Sequence, residues 1–145
     1  MKALIQRVSA AHVSVDGEII GRIDKGLLVL LGVEKIDTQV SVARMLEKLL
    51  AYRIFPDEQQ RMNRSIVEAN GGLLIVSQFT LVADTNKGLR PSFSDAAPPA
   101  EAERLYEFML TSAREKHHTV ANGRFGADMQ VHLINDGPVT FLLEA

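Results

Sequence analysis

Two short stretches carry residue types that hydrolytic chemistry uses. The first, Ser77-Gln78-Phe79-Thr80-Leu81, sets two hydroxyls around an amide and an aromatic ring. A hydroxyl becomes a nucleophile only with a base in hydrogen-bond reach, and no histidine or lysine lies near Ser77 or Thr80 in the sequence. Ser77 also lacks the flanking glycines of a nucleophile elbow. The second stretch is Asn135-Asp136-Gly137-Pro138-Val139-Thr140, between two apolar runs. Asn-Asp-Gly-Pro is good turn chemistry, and its plainest reading is a trans connection that reverses the chain, while the residues alone leave the proline isomer open. Only about 5–6% of X-Pro bonds in folded proteins are cis. Glycine before proline nonetheless leaves the main chain bare, and two neighbouring carbonyls can then face a ligand with no side chain in the way.

Other candidates have plainer explanations. His132 alternates with Val131 and Leu133, which turns it away from the apolar side; an exposed strand histidine accounts for it better than a general base does. Arg114, Lys116, His117 and His118 fall at the end of a helical pattern, where positive charge complements the helix dipole. Phe79 and Met129 read first as packing residues, and as pocket walls only second. There is no Walker loop, no glycine fingerprint after a strand and no His-Glu-x-x-His helix. Neither a cofactor nor a metal is therefore expected.

Composition narrows the class. With 145 residues, 46% of them hydrophobic, the chain can bury one sizeable core, and one domain spanning 1–145 is expected. The absence of cysteine removes disulfides, thiolate nucleophiles and cysteine-based zinc sites, and fits a cytoplasmic location. Met1-Lys2-Ala3-Leu4-Ile5-Gln6-Arg7 turns polar too soon for a signal peptide, and no apolar run nears the roughly 18 residues of a membrane span. The net charge of −2 and pI near 6.1 argue against sequence-independent binding along nucleic acid. A grip on one end of an RNA needs few phosphate contacts, and Lys87, Arg90, Arg114, Lys116 and Arg124 are available for it, although ordinary solvated surface is the readier explanation of them.

These candidates must be positioned by an alternation of strands and turns. Ala3 to Val15 reads as strand, Asp16-Gly17 as a hairpin turn and Glu18 to Ile23 as its return. Leu27 to Leu31 is short and wholly apolar, as in a strand buried on both faces. Asp37 is the expected cap of a helix whose Val42, Leu46, Leu49 and Leu50 form one stripe, with Pro56 beyond its end. Strand-like pieces around Arg53 to Phe55 and Met62 to Ile66 precede the most strand-like run, Leu73 to Leu81, and then a polar loop from Asp84 to Asp95. Pro98-Pro99 with Glu101 and Glu103 starts a second helix with Leu105, Phe108, Met109 and Ser112 facing inward. Met129 to Ile134 and Val139 to Leu143 close the chain as two strands. Two helices among about eight strands predict an α/β protein with mixed, mainly antiparallel sheets and the helices packed in layers.

The Ser77 to Leu81 and Asn135 to Thr140 stretches together resemble the two signature motifs of the D-aminoacyl-tRNA deacylase family of bacteria and eukaryotes. The resemblance extends through Met1 to Val8, Lys87-Gly88-Leu89-Arg90-Pro91-Ser92-Phe93 and Gly123-Arg124-Phe125-Gly126-Ala127-Asp128-Met129, in order along the whole chain. It implies a DTD-like fold and a homodimer in which the Gly137-Pro138 loop, its peptide bond cis, enters the partner's active site. There it would present carbonyls to the substrate's α carbon, with Arg7 fixing its orientation and Met129 on the pocket floor. It further implies a cytoplasmic hydrolase that cleaves a D-amino acid from the 3′ end of tRNA in translation quality control and rejects L-aminoacyl-tRNA. Achiral glycine, as in mischarged glycyl-tRNA(Ala), would not be fully excluded. Ser77, Gln78, Phe79 and Thr80 would line the catalytic pocket. Attack by Thr80 lacks a base, so activation of water by the vicinal 2′-hydroxyl of the terminal ribose ranks first. A non-enzymatic nucleic-acid-binding protein of the same fold is the main rival, and a small-molecule esterase using Ser77 or Thr80 the next.

Overall fold

Strand β1 (Lys2–Val15) is the axis on which the rest is hung, and in the computed structural model, which describes all 145 residues, it is paired along both edges. Asp16 and Gly17 both take positive φ, 50° and 80°, the handedness of a tight hairpin whose twist matches its strands. β2 (Glu18–Ile23) therefore returns antiparallel along the second half of β1. β3 (Gly26–Gly32) runs antiparallel to the first half.

The apolar run of β3 is buried on both faces, as expected. Leu27, Val29 and Leu31 enter a large core beneath the helices, whereas Leu28 joins a smaller one with Val8, Ala11, Val13, Ile23, Leu74 and Val76. Two cores on opposite sides of one strand account for the lack of alternation.

Helix α1 (Gln39–Ala51) buries Val42, Met45, Leu46 and Leu49. Its cap is Thr38, not Asp37: the Thr38 side chain accepts from the Val40 amide at 3.2 Å, and Ser41 accepts from the Thr38 amide at 3.1 Å. Asp37 is drawn away by stronger partners. Its carboxylate accepts from the Met1 ammonium at 2.7 Å and from the Glu34 amide at 2.7 Å, and the side chain is buried. A carboxylate with a cation and an amide to satisfy outcompetes its own role as a cap.

A small two-stranded sheet follows, β4 (Phe55–Pro56) with β5 (Met62–Arg64). β6 (Gly72–Ser77) then lies parallel to β3. The strand expected to reach Leu81 stops at Ser77 because its neighbour ends: the Gln78 amide makes the last bond, to Leu31 O at 2.8 Å, and β3 is over at Gly32. The chain turns into one round of 3-10 helix, Phe79–Val82, whose Val82 is buried.

Helix α2 (Pro99–Lys116) opens on proline and turns Ala102, Leu105, Tyr106, Met109, Leu110 and Ala113 inward. Phe108 and Ser112, expected on that face, are half-buried at its margin. Arg114 and Lys116 close the helix, but His117 is buried and its Nε2 lies 2.6 Å from the Gly71 carbonyl, fastening the helix end to the start of β6. β7 (Val120–Asn122) extends the sheet, parallel to β6. A Cβ on Gly21 of β2 would lie 2.5 Å from the Asn122 carbonyl; the two ends of the sheet thus meet, curling it nearly closed.

β8 (Gln130–Glu144) overturns the expected chain reversal. It is one strand, antiparallel to β1 from Ser14↔Gln130 to Lys2↔Glu144. Val8 pairs with Asn135 and Gln6 with Thr140, so Arg7 alone faces the segment Asp136 to Val139. The turn-forming residues make a pouch within a strand. Asn135 closes it, accepting from the Val139 amide at 2.7 Å and donating to Thr140 Oγ1 at 2.9 Å, while pairing on both sides prevents reversal.

Candidate active site

Strand alternation decides what the end of β6 can offer. Leu73 donates its amide toward β7, to Thr119 O at 2.9 Å, and Ser77 has the same parity, so its amide points the same way. β7, however, ends at Asn122 opposite Ile75, leaving no strand beside Ser77. The amides of Phe79 and Thr80 open a 3-10 turn, where no intrahelical acceptor exists. Gln78 differs, because its amide is spent on Leu31.

A cavity of about 450 Å³ opens at this strand end. Ser77, Gln78 and Phe79 form one wall, Ala96, Ala97 and Ala102 a second, and Phe125 and Met129 a third. Its lining is mostly apolar, and Asp128 is the one charged residue in it. Thr80 stands just outside, exposed, with its hydroxyl accepting from the Gln78 side-chain amide. Phe79 is 63% exposed and its ring centroid lies 5.1 Å from that of Phe93, which overturns core packing as the reading of this strand phenylalanine.

The third wall is held from below. Gly123 N donates to Ile75 O at 3.1 Å, and the buried Tyr106 hydroxyl donates to Ile75 O at 2.8 Å with Gly123 O a second acceptor at 3.4 Å. Met129 folds back so closely that a Cβ on Gly123 would sit 2.7 Å from its sulfur. Phe125 packs with Tyr106 at 5.9 Å between centroids. Sequence reasoning missed both Tyr106 and Phe125. Tyr106 did leave a signal: a tyrosine in the apolar stripe of a helix must find a partner for its hydroxyl.

The remaining candidates lie elsewhere on the chain. Arg7, Gly137 and Pro138 do not line the cavity. Arg7 spans the pouch instead, donating from Nε to Asp136 O at 2.9 Å and from Nη1 to Ile54 O at 2.7 Å, with the Asp136 carboxylate 3.8 Å from Nε. The Gly137-Pro138 bond is cis, and Gly137 has φ +146°. A Cβ there would lie 2.6 Å from Val139 Cγ2 and 2.9 Å from its amide nitrogen, so only glycine fits the pouch. Gly137 and Pro138 are both exposed.

His132 is exposed and stacks on His12 at 4.3 Å between ring centroids. Desolvation, then the neighbouring His132 and Arg22, push the His12 pKa below its ordinary value. The pair is outside the cavity lining.

The model of the D-Tyr-tRNA(Tyr) deacylase family matches residues 4–144. The chain belongs to that family. A D-aminoacyl-tRNA deacylase of Stutzerimonas stutzeri (strain A1501) is 65% identical over the whole of both chains, and one of Pseudomonas aeruginosa (strain LESB58) is 63% identical, again over both whole chains. Among solved structures, the c-Myc DNA Unwinding Element Binding Protein has TM-score 0.95 at 42% identity, covering 100% of this chain and 99% of the other. A probable eukaryotic D-amino acid tRNA deacylase matches with TM-score 0.83 at 18% identity over 99% of this chain and 98% of its own, which shows a shared fold. Membership of the deacylase family accounts for the two motifs, which the fold sets at the end of β6 and in the pouch of β8. No helix is long and apolar enough to cross a membrane.

Proposed function

We propose that this protein hydrolyses the ester between a D-amino acid and the terminal ribose of tRNA, releasing both. The observation that carries the reading is the strand end at Ser77: an apolar cavity walled by Ser77, Gln78 and Phe79, with the amides of Ser77, Phe79 and Thr80 left without sheet or helix acceptors. Such amides suit the oxyanion that forms when water attacks an ester, a contribution typically about 3–4 kcal/mol per donor.

Attack comes from water, activated by the ribose 2′-hydroxyl. The Thr80 hydroxyl is bonded to the Gln78 amide, and an amide takes up no proton, so Thr80 has no activating base. Its role is to orient, with Gln78, the groups around the ester.

Chirality is read by a second copy. Gly137 and Pro138 are exposed and outside their own cavity, held outward by Arg7 and Asn135; in a homodimer they enter the partner's cavity and set bare carbonyls against the substrate's α carbon. An L side chain meets main chain, a D side chain points to open space, and selection works by rejection. D-amino acids are accepted whatever their side chain, and glycine is partly admitted, as in glycyl-tRNA(Ala). The setting for this reaction is the cytoplasm.

The test is deacylation of D-Tyr-tRNA and L-Tyr-tRNA side by side: D is cleaved and L spared, and equal rates on both would refute the filter. The likeness to the c-Myc DNA Unwinding Element Binding Protein, 42% identical, favours a second reading, a nucleic-acid-binding protein without this activity. Retained RNA binding with no cleavage of D-Tyr-tRNA selects it. Turnover of simple esters without tRNA would instead select a small-molecule esterase.

A further inference from the structure

The chain makes a small finger at the cavity rim. Asp84 and Ser92 exchange both backbone hydrogen bonds, at 2.8 and 3.0 Å, so that residues 85–91 leave and return at one point. The Asp84 carboxylate is occupied at the base by the backbone and side-chain amides of Asn86, at 2.9 and 2.8 Å, and Gly88 turns the tip at φ +67°. The base is tied to the site: Phe93 packs on Phe79, and the cavity-lining Ala97 donates to Val33 O at 3.1 Å.

The tip is different. Residues 85–92 are all exposed, and Leu89 has no cover at all. Lys87 and Arg90 flank it without any ion pair, and no carboxylate lies between them in the sequence. In a chain of net charge −2, this is a basic point fixed beside the cavity. Residues 86–90 run through bends and a turn, so the tip stands less than about 10 Å from the base, the span of three fully extended residues at roughly 3.3 Å each.

We propose that Lys87 and Arg90 grip backbone phosphates of the single-stranded tRNA terminus, just upstream of the nucleotide whose ester enters the cavity. The inference rests on the reading of that cavity as an aminoacyl-tRNA site and adds how the polynucleotide is held. Lys87 and Arg90 stand outside the cavity lining, where they meet the phosphates of neighbouring nucleotides and not the reacting ester, so they contribute to binding and not to the chemical step. Phosphate contacts of this kind are electrostatic and indifferent to base identity.

The experiment compares the wild type with the double variant Lys87→Ala/Arg90→Ala on two substrates, D-Tyr-tRNA and D-tyrosyl-adenosine, the second lacking any phosphate. The variant raises KM for D-Tyr-tRNA at least about fivefold with kcat unchanged, and lowers the slope of log KM against log salt by about 1.4, at about 0.7 per single-strand phosphate. Its kcat/KM on D-tyrosyl-adenosine stays within about twofold of wild type, which also reports an intact fold, and Lys87→Arg/Arg90→Lys retains tRNA binding because both positive charges remain. Equal losses on both substrates, no loss on either, or an unchanged salt slope overturns the proposal. A wild type inert on both D-substrates refutes the underlying site reading instead.

Discussion

The Tyr106 hydroxyl donates to the Ile75 carbonyl at 2.8 Å and thereby fastens helix α2 to the strand that ends in Ser77. Burial, with Glu107 adding to it, pushes the phenol pKa well above its ordinary 10.0. The folded protein therefore keeps a proton that the unfolded chain loses above pH 10. Stability from this group is complete below that pH and falls as pH rises, with a slope approaching about 1.4 kcal/mol per pH unit. Tyr106→Phe removes that share of the slope, so urea midpoints measured upward from about pH 9 converge with those of wild type. The same steepness in both proteins would show that the hydroxyl is not shielded.

Deleting the same hydroxyl also costs about 1 kcal/mol near neutral pH, since Ile75 O retains the Gly123 amide at 3.1 Å. The consequence for the site is a looser third wall, because Met129 folds against Gly123 and Phe125 packs on the Tyr106 ring. Tyr106→Phe is expected to lower kcat on D-Tyr-tRNA several-fold with KM little changed. Steady-state kinetics alongside a core variant of equal stability, such as Met45→Leu, separates the two effects: a matching kcat loss in the control reduces Tyr106 to a packing residue.

Much of the architecture was legible because local signals and tertiary demands agree. The Asp16-Gly17 turn, the doubly buried Leu27 to Leu31 and the proline start of α2 are each fixed by a neighbour or by the residue's own backbone preference. Legibility failed where a distant partner decided the outcome. Asp37 lost its capping role to the Met1 ammonium, and the strand through Phe79 ended because β3 did. Asn135 to Pro138 reads as a turn from composition; only pairing with β1 on both sides makes it a pouch. Likewise the Ser77 wall was visible as a motif, but Ala97 and Phe125 meet it from remote segments, and the polar tip of Tyr106 in an apolar stripe calls for a partner without saying which.

Exchange of the Asp37 and Thr38 roles gives a direct comparison. Thr38→Ala removes one cap and should cost about 1 kcal/mol. Asp37→Ala removes a buried carboxylate that serves both an ammonium and an amide, and should cost about 3 kcal/mol or more. Denaturant titration of both variants checks the order; a reversed order would return Asp37 to the capping role.

The pouch should control stereoselectivity through its shape. Gly137→Ala places a methyl group 2.6 Å from Val139 Cγ2, so the loop must shift, and the ratio of kcat/KM for D-Tyr-tRNA over L-Tyr-tRNA should fall at least about tenfold, or about 1.4 kcal/mol. Arg7→Lys acts on the same loop from beneath. A lysine cannot span Asp136 O and Ile54 O as the guanidinium does, and a smaller loss of the ratio is expected. Preserved selectivity in Gly137→Ala would separate this loop from chiral recognition.

The chemical step is decided by removing one hydroxyl at a time. Thr80 receives a hydrogen bond from Gln78 and has no base, so Thr80→Ala should retain measurable cleavage, reduced by roughly tenfold to a hundredfold through loss of orientation. D-Tyr-tRNA ending in 2′-deoxyadenosine lacks the group that activates water, and wild-type enzyme should cleave it at least about a thousandfold more slowly, within the range general base catalysis contributes. Single-turnover rates on the two pairs make the comparison independent of binding. A dead Thr80→Ala together with full activity on the deoxy substrate would move the nucleophile into the protein.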